Sequence, residues 1–169
     1  MNIALTSIGL LWNIIDFLCH DIADTDADPA HIQSLWLCLY SSIGKLCCDN
    51  RPEVRKSAGQ TLFGTISAHG ASLSSETWRQ LFWEVLFPLL ESVENEISTA
   101  DKSKSAESKA FLVHHSRDTK EKQWAETKRL TLNGLAKLFK DNKSGLDPTE
   151  WIRCWKSMLE YIEKECSAK

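Results

Sequence analysis

Apolar residues recur at steps of three and four along nearly the whole chain, and no stretch alternates apolar with polar residues long enough to make a half-buried strand. The first stripe is Ile8, Leu11, Trp12, Ile15, Leu18 and Ile22. The second is Ile32, Leu35, Trp36, Leu39, Ile43 and Leu46. A period near 3.6 residues puts each stripe on one helix face, and that face must be buried against another element. The chain is therefore expected to be all-α. With 169 residues, seven Trp and six Phe, it can build one domain around a real core.

Start and stop signals divide the chain into about six helices. Asp28-Pro29 opens the second, an acid at the cap followed by proline at the first helical position. Asn50-Arg-Pro-Glu53 opens the third, with Asn50 placed to cap and Glu53 to reach back; its inner line is Val54, Ala58, Leu62 and Ile66, and it stops at Gly70. Gly59 and Gly64 lie inside it, where Gly costs about 1 kcal/mol relative to Ala, so both are expected to mark close helix approach. The fourth helix runs from Glu76 towards Glu94 through Trp78, Leu81, Phe82, Val85, Leu86 and Leu89, and Pro88 should bend or break its last turns. Residues 98–110 lose the period and fill with Ser, Lys, Ala and Glu, which predicts a mobile loop. Asp118 with Glu121 starts the fifth helix, whose inner line is Trp124, Thr131, Leu135 and Leu138. Asp147 with Glu150 starts the sixth, carrying Trp151, Ile152, Trp155, Leu159 and Ile162.

Six helices with short connections make either a closed bundle or an α-solenoid of stacked hairpins. The segment Asp49-Asn-Arg-Pro-Glu-Val54-Arg55 resembles the inter-helix turn of HEAT repeats, with an acid before the turn and an Arg after it. Stacked turns of that kind can pair the Asp of one repeat with the Arg of the next. A HEAT- or armadillo-like solenoid over residues 1–169 is accordingly expected. The apolar start, MNIALTSIGLLWNIIDFLCHDI, lacks a basic lead and a small-residue cleavage site, and Asn13 and Asp16 interrupt it. It reads as neither signal peptide nor membrane anchor. With no cap before it, it is expected to belong to a fragment of a longer scaffold.

The formal charge of −3 argues against phosphate neutralisation, so nucleic acid is not an expected partner. Acidic residues dominate the start, where Asp16, Asp21, Asp24, Asp26 and Asp28 precede the first cation, Lys45, whereas the stretch from Lys102 to Arg129 leans basic. Six cysteines form no CxxC pair and sit mostly in apolar runs, which points to a reducing compartment. No GxxxxGK[ST] loop is present for nucleotide. Cys19 and His20 are adjacent on a helix and diverge by about 100°, too far to act on each other as nucleophile and base. The pair His114–His115 has no HExxH helix or Cys pair beside it. A His-dependent hydrolase or metal enzyme is therefore only a second alternative, which metal analysis of the purified domain would test, and no catalytic, metal or cofactor residue is expected.

Two groups of polar residues stand out instead. Arg51, Arg55 and Lys56 either form a basic patch or are paired within the fold. His114, His115 and Arg117 precede a helix carrying Trp124, and read either as a loop-to-helix staple or as a partner-docking corner with Arg and Trp as hot spots.

Four segments, LLWNIIDFL at Leu10–Leu18, RPEVRKSAGQTLF at Arg51–Phe63, TW with LFPLL between Thr77 and Leu90, and HHSRDT with KQWAET at His114–Thr127, resemble the monensin-sensitivity-two family. Its members are large relatives of Sec7-type Arf exchange factors. The resemblance implies a non-catalytic segment of a helical-repeat scaffold, peripheral on Golgi, trans-Golgi and endosomal membranes. It also implies Dopey-type partners and Arf-like GTPase pathways; within such a module the residues themselves place the expected docking surface or joint at Arg51, Arg55, His114, His115, Arg117 and Trp124. The RPEVR and TLF elements look equally like helical domains downstream of Sec7 in active exchange factors, which is the alternative reading.

Overall fold

Caps and stripes produce helices close to where the sequence puts them. The computed structural model describes residues 3–20, 28–107, 119–141 and 145–167. Its α-helices are α1 (Ile3–His20), α2 (Pro29–Leu46), α3 (Pro52–His69), α4 (Ser75–Gln80), α5 (Phe87–Glu107), α6 (Lys120–Asp141) and α7 (Pro148–Ser167). A π-helical turn, Leu81–Leu86, joins α4 to α5, so these two form one rod and the chain has six helical units among the described residues, with no strand.

The cap signals are confirmed at two starts. Asp28 accepts the backbone N–H of Ala30 ahead of Pro29, and Asp147 Oδ1 accepts those of Thr149 and Glu150. At α3 the cap differs from expectation. Arg51, not Asn50, occupies the cap position, and the carboxylate of Asp49 takes the Arg51 N–H at 2.9 Å. Asp118 lies outside the described residues; the first helical bond of α6 runs from Gln123 N–H to the Thr119 carbonyl. Gly70 keeps a right-handed conformation (φ −58°) and leads into a 3-10 turn, Gly70–Ser72, whose first carbonyl receives Trp78 Nε1 at 3.0 Å.

Pro88 does not break its helix. The hydrogen bonding lengthens by one residue just before it, with Phe87 N–H reaching the Phe82 carbonyl, and a π turn absorbs the missing N–H of proline. The rod then continues to Glu107, so residues 98–107 of the expected loop are helical and 108–110 lie outside the described residues. That stretch has no apolar stripe, but it contains neither Gly nor Pro and includes two Ala and two Lys, so nothing in it breaks the helix that the preceding turns begin.

The helices stack in two layers, an arrangement compatible with an α-solenoid. α3 sits between α1 and α6 in one layer; α2 packs on the α4–α5 rod in the other, and α5 packs on α6. α7 joins through large side chains, with Trp155 stacked on Phe139 of α6. The core runs through the stack: Ile8 and Ile15, Trp36 and Ile43, Leu62 and Ile66, Leu81 and Leu86, Leu135 and Leu138 are fully or almost fully buried. Each such aliphatic side chain contributes roughly 1.5–3 kcal/mol.

Close approach explains two glycines together. A Cβ on Gly59 would lie 2.5 Å from Leu130 of α6, and one on Gly134 of α6 would lie 2.3 Å from the Phe63 ring of α3. Each helix thus offers a gap that the other fills. Gly64 admits Trp12 of α1 in the same way, a Cβ there standing 3.0 Å from the indole.

Some stripe positions face outward. Trp12, Leu35, Ile152, Leu159 and Ile162 are exposed, and Ile22 lies outside the described residues. On α7 the inner face is carried by buried Cys154 and Met158 with half-buried Trp151, Trp155 and Tyr161. Cys and Met belong to that stripe as small and flexible apolar groups. α1 is long and apolar enough to cross a membrane, yet its Ile8, Ile15 and Leu18 are part of the core.

Candidate functional site

The α2–α3 turn is knotted by one carboxylate. Asp49 accepts the backbone N–H of Arg51, and its two oxygens take Arg51 Nε and Nη2, each at 2.9 Å. This two-pronged pairing and the backbone N–H hold its carboxyl down to about 2. The Asp–Arg pair therefore closes within a single turn. The expected ladder from one repeat to the next does not form at Asp49.

One helical turn further on, Arg55 enters the interior. It is only 1% exposed, the most buried charged side chain among the described residues. Nη1 donates to the carbonyls of Asp49 at 2.8 Å and Asn50 at 3.1 Å, and Nε donates to Thr127 Oγ1 on α6 at 2.9 Å. The guanidinium carbon stands 3.8 Å from the ring centre of Trp124, itself only 6% exposed. Nη2 has no hydrogen-bond partner among the described residues. Burial pushes the guanidinium below its ordinary value, against the pull of Asp49, yet an Arg so placed stays charged at neutral pH.

Arg55 and Trp124, singled out from separate stretches of sequence, thus meet in one place. They form a joint in which a cation crosses from the α2–α3 turn to the first turns of α6, sealed by an indole. Because Arg55 is inside, it makes no exposed basic patch with Arg51 and Lys56, which remain at the surface. His114, His115 and Arg117 lie outside the described residues. Glu126, on the first turns of α6, is engaged by Arg129, with Nε to Oε2 at 2.9 Å. Beside the joint, Glu53, Lys56, Gln123, Glu126 and Leu130 line an open groove of about 360 Å³ between α3 and α6.

Sequence reasoning missed two polar clasps that attach α7. Glu94 receives Lys128 Nζ at 2.6 Å and the Tyr161 hydroxyl at 2.8 Å. Glu150 receives Trp83 Nε1 at 3.2 Å and pairs with Arg153, whose guanidinium lies 4.7 Å from the Trp83 ring centre. Apart from the i,i+3 pair Glu150–Arg153, their contacts have no spacing signature, because they join residues far apart in sequence.

A two-layer stack of helices, with its innermost cation committed to holding helices together, defines an all-α structural module. Residues 24–169 match the family model described as the C-terminal region of Mon2 protein. The chain belongs to this Mon2 family. It is 44% identical over 186 residues to Protein MON2 homolog of Drosophila melanogaster and 43% identical over 196 residues to that of Homo sapiens, matches that cover 100% of the chain and 11% of each relative. The chain thus spans about a tenth of the length of the curated relatives it matches. Brefeldin A-inhibited guanine nucleotide-exchange protein 2 of Arabidopsis thaliana is 39% identical over 72 residues, 43% of the chain and 4% of that protein. No solved structure matches the chain.

Proposed function

We propose that the chain is a non-catalytic interaction segment of a membrane-trafficking scaffold, peripheral on Golgi, trans-Golgi and endosomal membranes through the longer protein. Its partners in this reading are Dopey-type proteins and Arf-like GTPase machinery. The observation that carries it is the outward face of α1, where Ile3, Leu10, Ile14 and Phe17 form one exposed apolar line at helical spacing while the opposite face is in the core. Side chains of this kind are retained outside a core where another protein surface covers them. Arg51, His114, His115 and Arg117 are the polar candidates for docking; Arg55 and Trp124 act through the joint.

A second reading has specific support in the match to the Arabidopsis exchange protein. In it the chain is a regulatory helical domain downstream of Sec7 in an active Arf exchange factor. The two readings separate on the parent chain, since only the second requires a Sec7 domain upstream.

The test is capture of a Dopey-type protein from solubilised Golgi membranes, comparing the chain with Leu10→Ser/Ile14→Ser/Phe17→Ser and with His114→Ala/His115→Ala/Arg117→Ala. Equal helicity of all three is checked first. Loss of capture with the α1 triple supports the reading, and loss with the other triple adds that corner to the surface. Capture by neither the chain nor its variants would sink it.

A further inference from the structure

The C-terminal ends of α1 and α3 bring together donor side chains that the joint does not use. Cys19, His20 and His69 each offer a ligand atom, and these atoms lie within 4.8 Å of one another. Asp16, one turn before His20, places Oδ1 3.6 Å from Nε2 of His20 and 3.5 Å from Nε2 of His69. Those separations exceed N–H···O hydrogen bonds, which fall at about 2.7–3.2 Å. They match the edges of a tetrahedron of zinc ligands, since metal–ligand bonds of about 2.0–2.3 Å set neighbouring donors roughly 3.3–3.8 Å apart.

The positions of the donors suit a metal in other ways. The His69 side chain is 8% exposed and its ring lies against Trp36, so one ligand is held in place by packing. His20 and Asp16 are open to solvent and give an ion its way in. Cys19 and His20 diverge too far to act on each other, but a metal requires only that both reach a point shared with His69. Cys19 Sγ is already directed towards the end of α3, 3.4 Å from Ser72 Oγ. The sequence adds a favourable field: five Asp and no Lys or Arg occur from Met1 through Asp28.

We propose that Cys19, His20 and His69, with Asp16 as the fourth donor, form a site for a divalent transition-metal ion of zinc-like softness that clips the end of α1 to the end of α3. On binding, the Cys19 thiol gives its proton to solvent and forms a metal–sulfur bond. The two imidazoles bind as neutral donors through an unprotonated nitrogen each, and a carboxylate oxygen of Asp16 takes the remaining position. No electrons are transferred. The clip steadies the helix that carries the exposed apolar line.

The experiment is a Co²⁺ titration of the purified chain followed by Zn²⁺ competition, read by thiolate-to-cobalt charge-transfer absorption and by the thermal unfolding midpoint. The expected result is saturation at one equivalent, displacement by Zn²⁺, and a higher midpoint with metal. Cys19→Ser abolishes the sulfur band, and His20→Gln, at an exposed position that leaves folding intact, weakens binding at least about tenfold. Cys38→Ser and His31→Ala, at exposed positions on α2 outside the donor set, leave binding unchanged. Absence of the band in the parent chain, its survival in Cys19→Ser, or its loss in either control variant overturns the proposal.

Discussion

Among the described residues, two Arg side chains lie over Trp rings, one at the α3–α6 joint and one where α7 meets the α4–α5 rod. Arg55 stands 3.8 Å from the Trp124 ring centre, is nearly sealed from water and bonds two backbone carbonyls and Thr127. Arg153 stands 4.7 Å from that of Trp83, with 62% of its side chain in solvent and one carboxylate partner. The chemistry of the pair is the same and its surroundings are not. A buried guanidinium cannot be removed without orphaning the groups it satisfied, whereas an exposed one gives its place to water. The joint is therefore a fixed part of the fold, and the α7 contact is a clasp that can loosen.

The largest expected effect is at the joint. Arg55→Met fills similar volume but leaves the Asp49 and Asn50 carbonyls without their donor and ends the stacking on Trp124, which should lower stability by roughly 2–4 kcal/mol in urea unfolding. Arg55→Lys should restore little, because an ammonium cannot reproduce three directed bonds and a planar stack. Next comes the glycine contact on the same interface. Gly134→Ala pushes a methyl to 2.3 Å from Phe63 and should cost roughly 1–3 kcal/mol, relieved in part by Phe63→Leu in the same chain.

Smaller still is the acid response of the turn. The folded-state value of Asp49, held down to about 2, lies below the ordinary carboxylate value near 3.9 that it takes when unfolded. Its contribution is thus complete above about pH 4 and is lost as pH falls towards about 2. Asp49→Asn should flatten that limb of the stability profile measured by unfolding from pH 5 downwards. Arg153→Ala should be the mildest change, about 0.5–1 kcal/mol or less. If it cost as much as Arg55→Met, burial would not be what separates the two pairs.

What could be read from sequence was what local physics decides. Asp28 and Asp147 cap their helices because a cap acts within three residues, and Gly59 was readable as a contact point because an interior Gly has few other reasons to be there. That its neighbour is Leu130 was not readable. Arg55 and Trp124 were each noticed, but as members of separate clusters, since no spacing rule joins one helix start to another. The π turn at Leu81–Leu86 was missed because periodicity assumes a fixed hydrogen-bond register, and proline was judged without it. The face of α7 was misassigned by favouring Ile152, Leu159 and Ile162 over Cys154 and Met158. The donor set around His69 was invisible for the same reason as the joint: Cys19 and His20 were weighed only against each other.

The central claim is that Arg55 and Trp124 hold the module together while partners meet its outer surface. The most direct measurement is the affinity of a Dopey-type protein for the chain and for Arg55→Met, at a temperature where circular dichroism shows both fully folded. The account predicts equal affinities despite a lower melting temperature for the variant. An affinity loss of tenfold or more with the fold intact would contradict it and make the joint itself the docking site.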